Sequence, residues 1–425
     1  MATRDKAGRP IVAVTGMGIV TSLGTGKDEN WTKLTAGESG IRRITRFDTT
    51  GLRTTMAGTV DHVHRPGMEP SVLTEAIARL AAEEAVAEAR LGGAPSFPGP
   101  LFLAMPPLET EWSHRLALTK DVPAGQPIGY GTLIEAASSA RFTEFYELSK
   151  FGVIGEHLAQ RFGTQGSPIS LTTACAAGAT AIQLGLEAIR RGECSAALVI
   201  GADGSVTPES VVRFSLLSAL STSNDVPAAA SRPFSKNRDG FVVAEGAAAL
   251  VLEDYDHAVA RGARILGVIE GCGEKADSFH RTRSSPDGRP IIGCIRNALA
   301  DAGVGPRDVD YINAHGTSTP ENDKMEYLGV STVFGERMND IPISSIKSMI
   351  GHTLTAAGAI EAVVSMLTLQ HQKLPPTINH HVPDPAIPLD VVPNVARDAR
   401  VDRVVSSSFG FGGQNVCLVM TREPA

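Results

Sequence analysis

Apolar runs of strand length alternate with longer stretches of helical period from one end of this chain to the other. IVAVTG from position 11, ISLTTA from 169, AALVIGA from 196 and AAALVLE from 247 are short and dense in Val, Ile, Leu and Ala, as buried strands are. Between them, LTEAIARLAAEEAVAEARL from 73 carries apolar residues at helical spacing. Ala179, Ile182, Leu186 and Ile189 mark one face of another helix. The second half renews the alternation with IIGCIRNALADAG from 291, VDYINAHG from 309, PISSI from 342 and GAIEAVVSMLTLQ from 358. Such alternation predicts an α/β protein.

The two halves also share particular strings. Pro-Ile-Ser at 168–170 leads into Ala-Ala-Gly-Ala at 176–179 and a helix, and Pro-Ile-Ser at 342–344 leads through a longer link into Ala-Ala-Gly-Ala at 356–359 and a helix. VVAEGAAALVLED from 242 and GFGGQNVCLVMTR from 410 each set a Gly-containing turn before a closing strand. Two matched pairs in the same order predict an internal duplication. Residues 1–256 and 257–425 would be two similar α/β halves sharing one core, with the boundary near Asp256 to Gly262.

Composition narrows the class. The chain of 425 residues is 42% apolar and 20% charged, an ordinary globular balance. Its 39 Lys and Arg against 46 Asp and Glu leave a formal charge of −7, which argues against nucleic acid as a partner. No run approaches the ~20 consecutive apolar residues that cross a bilayer, so no stable membrane insertion is expected. Arg4, Lys6 and Arg9 precede an apolar run that Gly16 and Gly18 interrupt, unlike a signal peptide. Five cysteines without a C-x-x-C pair fit a reducing, cytoplasmic setting and no metal site.

Three features bear on chemistry. Gly16-Met-Gly18 follows a strand as a dinucleotide-binding turn would, but Thr21 stands where that pattern needs Gly or Ala, so a tight structural turn is expected. Cys175 lies between the strand from 169 and the helix that starts just after it. A helix N-terminus favours a thiolate, which would lower the thiol pKa and arm a nucleophile. His315 sits at the end of a strand in a Gly/Thr/Pro loop, and Lys347 and His352 occupy the strand exit that matches the Cys175 turn in the repeat. Strand exits are where α/β proteins build sites, so a thiol, two imidazoles and an ammonium are expected to meet. His62, His64, His380 and His381 lack such company and read as structural or surface residues.

At these residues the chain resembles a known family. TTACAAG, NAHGTSTP, SIKSMIGHTLTAAGAIE and SSFGFGGQN, in this order, are similar to motifs of the beta-ketoacyl-acyl-carrier-protein synthases, closest to synthase II, in the thiolase superfamily. IVAVTGMGIVTSLG, WTKLTAGESGI, LPPTIN and the stretch from LSTSND to VVAEGAAALVLED extend the likeness, whereas residues 60–150 match poorly. The resemblance implies a thiolase-type fold, two similar halves in an α-β-α-β-α layered core, acting as a homodimer. Substrates would arrive on the phosphopantetheine arm of acyl carrier protein, with no cofactor.

Carried over position by position, the resemblance makes Cys175 the acyl-accepting nucleophile. His315 and His352 become the donors that promote decarboxylation of a malonyl thioester, and Lys347, paired with Glu361, orders the histidine loop. The backbone N–H groups of Cys175 and Phe411 would form an oxyanion hole, Phe409 and Phe411 a gate, and Thr282, Thr317 and Thr319 contacts to the pantetheine arm. The implied reaction is decarboxylative Claisen condensation in fatty acid or specialised lipid biosynthesis. The alternatives are a polyketide-type ketosynthase, a non-catalytic chain-length partner subunit, or a thiolase-like activity. Three departures stand out: LAMPPLETEW at 103–112 where the family has a Gly/Ser-rich loop, Arg65 as the only strong cation of DHVHRPGMEPSVLTE, and Gln414 where the family has Thr.

Overall fold

The computed structural model of the chain describes residues 4–92, 96–108, 111–120, 122–123 and 125–423. Ten strands carry the core: β1 Val12–Thr21, β2 Leu101–Ala104, β3 Ile169–Leu171, β4 Ala196–Asp203, β5 Gly246–Asp254, β6 Gly267–Ala276, β7 Tyr311–Asn313, β8 Ile343–Ser344, β9 Arg403–Phe409 and β10 Gln414–Thr421. With the short strand Gly24–Thr25 on β1, they make one mixed sheet among the described residues, in the order β8-β7-β9-β10-β6-β1-β5-β4-β2-β3. The order repeats itself on either side of the antiparallel β1–β6 contact. On one side β1, β5 and β4 run antiparallel and β2 and β3 follow in parallel. On the other, β6, β10 and β9 run antiparallel and β7 and β8 follow in parallel.

Five helices set the layers: α1 Pro70–Ala89, α2 Ala177–Arg190, α3 Arg289–Ala302, α4 Pro320–Phe334 and α5 Ala357–His371. The central strands β1, β4, β5 and β10 are buried on both faces. Along β5, Ala248, Leu250 and Leu252 join the central cluster with Ile182 of α2 and Ile360 and Val363 of α5. Its alternate residues Ala247, Ala249 and Val251 pack outward with Ile77 and Ala81 of α1. In β10, Val416, Leu418 and Met420 face the same centre, while Cys417 and Val419 face Ile295 and Leu299 of α3. The period of two in a strand thus produces α, β, α, β, α layers, the thiolase-type fold. Helix α5 lies in the middle layer with Ala357 through Leu369 all buried, which explains why its sequence is apolar on every face.

The duplicated Ala-Ala-Gly-Ala strings meet each other in that layer. A Cβ on Gly178 would lie 2.6 Å from the Ala359 backbone nitrogen, and one on Gly358 would lie 2.6 Å from that of Ala179. Only glycine permits α2 and α5 to cross this closely.

One expectation changes. Gly16 and Gly18 do not form a turn; they lie inside β1, where a Cβ would come within 2.0 Å of the Ala85 and Ala81 carbonyl oxygens of α1. Their smallness serves helix-on-strand packing, which a local reading cannot see. The divergent segment is largely helical, with helices over Trp112–Thr119, Tyr130–Ser138 and Thr143–Ser149; Glu109 and Thr110 of LAMPPLETEW lie outside the described residues. It is tied to the body where the Trp112 N–H donates to Glu209 Oε1 at 2.7 Å and where His114 Nε2 lies 3.3 Å from Glu69 Oε1, while inside the segment the His114 ring stacks on Phe145 at 4.3 Å.

Candidate active site

Cys175 sits between β3 and α2, just ahead of the first helical residue, after Ala174 in a left-handed conformation (φ 49°). Strain of that kind at a non-glycine residue aims the next side chain out of the regular path. The β7 strand delivers His315, and β8 leads into the turn that carries Lys347 and His352. The Cys175 thiol and the ring nitrogens of His315 and His352 come within 4.8 Å of one another, all buried. The two imidazoles meet edge to face, with centroids 5.3 Å apart at 86°. Phe409 closes on His315 at 5.8 Å and Phe241 on His352 at 5.3 Å, so apolar rings wall the polar cluster.

Lys347 is 2% exposed; it pairs with the buried Glu361 carboxylate and places Nζ 3.4 Å from His315 Nδ1. An ammonium only donates, so Nδ1 accepts and the His315 proton rests on Nε2. Burial, then the charges of Lys347 and His352, push His315 well below the usual histidine range. Burial and Lys347 do the same to His352. Both rings are therefore neutral near pH 7. Both ring nitrogens of His352 lack a hydrogen-bond partner although the residue is 2% exposed. An unpaired buried donor of this kind is one a ligand completes.

Positioning groups that the sequence did not single out hold these loops. The Glu326 carboxylate, from α4, accepts the His315 and Gly316 backbone N–H groups at 2.8 and 2.7 Å, and burial pushes it up to about 7. Asp203, at the end of β4, accepts the Thr355 hydroxyl at 2.8 Å and so fastens the turn after His352. The only sequence signal was a carboxylate at an apolar spacing.

One expectation about Cys175 is reversed. Burial pushes its thiol up to about 11, outweighing the opposing Phe411 backbone N–H and Lys347 charge, so the resting residue is a thiol, not a thiolate. Alkylation by iodoacetamide, followed on the Cys175 peptide, is accordingly expected to accelerate roughly tenfold per pH unit from neutrality to pH 9. A plateau below pH 8 would contradict it.

A groove of about 620 Å³ is lined by Thr282, Thr319, Phe409, Phe411 and the glycines around Phe411, so that Phe409 borders both the groove and His315. Thr317 lies behind the wall, 5% exposed, its hydroxyl 2.9 Å from that of Thr319. Gln414 opens β10, half-buried, and its backbone oxygen accepts the Gly410 N–H at 2.7 Å.

A buried thiol beside two neutral imidazoles, walled by Phe241 and Phe409 on a thiolase-type core, is the equipment of an acyl-transferring thiol enzyme. Comparison with known proteins makes the class specific. The beta-ketoacyl synthase N-terminal domain model matches residues 10–85 and 130–258, and the beta-ketoacyl synthase C-terminal domain model matches residues 266–381. The unmatched stretch between 85 and 130 falls inside the divergent region. The chain is 37% identical over 422 residues to the 3-oxoacyl-acyl-carrier-protein synthase 2 of Coxiella burnetii, covering 97% of this chain and 98% of that protein. Among solved structures it is similar to a type II polyketide ketosynthase in complex with its acyl-carrier protein (TM-score 0.86, 33% identity, 98% of this chain and 100% of that one). It is also similar to the ishigamide ketosynthase/chain length factor (TM-score 0.83, 36% identity, 98% and 100%). The chain belongs to the beta-ketoacyl synthase family and is an acyltransferase that makes 3-oxoacyl products by condensation. Among the described residues no helix is long and apolar enough to cross a membrane.

Proposed function

We propose that the chain is a catalytic, cytoplasmic condensing subunit that joins an acyl group on Cys175 to the two-carbon unit of malonyl-acyl-carrier-protein. The observation that carries this is the meeting of thiol and both imidazoles within 4.8 Å, with the His352 nitrogens unpartnered. In the first step the Cys175 sulfur attacks a carrier-bound acyl thioester. The carrier C–S bond breaks, and the thiol proton passes to the departing carrier thiolate. In the second, the malonyl carboxylate leaves as carbon dioxide and its bonding electrons become an enolate. Hydrogen bonds donated by His315 and His352 stabilise the enolate oxygen. The enolate carbon then attacks the Cys175 thioester, whose oxyanion rests on the Cys175 and Phe411 N–H groups. The Cys175 sulfur leaves and takes up a proton, closing the cycle.

A chain-length partner subunit would need none of this chemistry, so the co-location of all three residues favours the catalytic reading. A homodimer is supported by the open edge of the sheet. On β3, Ile169 is 46% exposed, and the divergent helices expose Leu116 at 71%. The opposite edge is covered, β8 giving its Ile343 N–H to Asp390 and its Ser344 hydroxyl to Pro375.

Acyl specificity is expected to depart from an ordinary medium-to-long-chain profile, toward unusually long or modified chains or a dedicated carrier. Pro106 and Pro107 line a small cavity with Ser205, two residues from the Asp203 that fastens the His352 turn, so a stiff segment borders the site. Each methylene is worth about 1–3 kcal/mol of discrimination in an apolar pocket. Mass spectrometry of products from malonyl-carrier with acyl-carriers of graded length tests this. Efficient turnover across medium-to-long chains on a housekeeping carrier would refute the altered specificity. A polyketide profile would transfer the chain to the alternative pathway.

A further inference from the structure

Asp203 ends β4 where the Cys175 and His352 segments meet, and it is 1% exposed with no cation paired to it among the described residues. One carboxylate oxygen accepts the Ser205 N–H at 3.1 Å. The other accepts the Thr355 N–H at 3.2 Å and the Thr355 hydroxyl at 2.8 Å. Thr355 lies in the turn that follows His352. The same strand end reaches the nucleophile: a Cβ on Gly201 would lie 3.4 Å from the Gly178 Cα, in the first turn of α2, and 3.5 Å from the Ala356 Cα. A Cβ on Gly178 would in turn meet the Thr355 carbonyl oxygen at 3.2 Å. No step of the proposed condensation uses this carboxylate.

Burial pushes Asp203 up, and the Ser205 and Thr355 donors oppose this by stabilising the ionised form. The groups around the Cys175 thiol divide by sign. Lys347, from the turn after β8, favours a thiolate, the His315 and His352 rings are neutral, and Asp203, from the end of β4, opposes a thiolate. We propose that Asp203 is a positioning residue for both chemical steps: through Thr355 it holds the turn after His352, and its negative charge, set against the first turn of α2, keeps the resting Cys175 sulfur protonated. That proton is the one the departing carrier thiolate takes up, and a protonated sulfur resists stray electrophiles that consume thiolates. The inference rests on Cys175 as the nucleophile of a synthase.

The test reads the thiol directly. Ultraviolet thiolate absorbance, taken as the difference between each protein and its Cys175→Ala counterpart, gives the ionised fraction of Cys175 against pH. Asp203→Asn is expected to raise that fraction about tenfold near pH 9. Asp203→Ser, which leaves room for water among the same donors, is expected to do the same. Thr355→Val loosens the same turn without touching the charge, so it should leave the titration in place and slow carbon dioxide release from malonyl-carrier instead. An ionised fraction in Asp203→Asn and Asp203→Ser within about twofold of the parent overturns the proposal. So does an equal rise in Thr355→Val, or carbon dioxide release in that variant at the parent rate. A parent protein whose Cys175 accepts no acyl group from a carrier would bring down the synthase reading, and the titration would still decide the role of the Asp203 charge.

Discussion

Replacement of Cys175 by alanine is expected to abolish 3-oxoacyl product, a loss of about 10⁴-fold or more, because covalent capture of the acyl group is the step with no substitute in the site. The neighbouring histidines offer donors, not a second sulfur, and the other buried thiols are elsewhere. Cys294 and Cys417 face each other at 3.4 Å on the far side of the core, between α3 and β10. The variant should fold normally, since alanine already surrounds the position and loses only a small side chain. It should still release carbon dioxide from malonyl-carrier, because that step draws on the imidazoles. Quantifying both products in one reaction mixture distinguishes a lost nucleophile from a lost site.

His315→Ala and His352→Ala should show the opposite pattern. Each removes one donor to the enolate oxygen, which is expected to cost about 10²–10³ in carbon dioxide release, while acylation of Cys175 falls far less. The direction of their pKa shifts adds a pH signature. Both rings are held below the ordinary histidine range, so the decarboxylation half-reaction should stay level from alkaline pH down past the point where a free histidine protonates. Normal carbon dioxide release in both variants would remove the histidines from that step.

What the sequence made legible is what repeats or recurs locally. The strings at 168–179 and 342–359 carry the duplication, and the structure sets them in matching places, with the Gly178 and Gly358 contacts at the centre. Cys175, His315, Lys347 and His352 were each visible at strand exits, and the resemblance added Glu361 and Phe411. The missing parts depend on distant residues. The closeness of α1 that requires Gly16 and Gly18, the Glu326 carboxylate under His315, and the burial that overrides the helix N-terminus at Cys175 are products of tertiary packing. No window of sequence contains them. The helices between 112 and 149 escaped for another reason: their apolar residues are largely solvent-facing, so their pattern does not report a core.

The central claim, that this chain carries its acyl intermediate on Cys175, is tested most directly by trapping. The protein is incubated with acyl-carrier in the absence of malonyl-carrier, digested, and its peptides weighed. The account predicts the acyl mass on the peptide containing Cys175, discharged as 3-oxoacyl-carrier when malonyl-carrier is added. An acyl adduct that persists undiminished in Cys175→Ala, or one that malonyl-carrier fails to discharge, would contradict it.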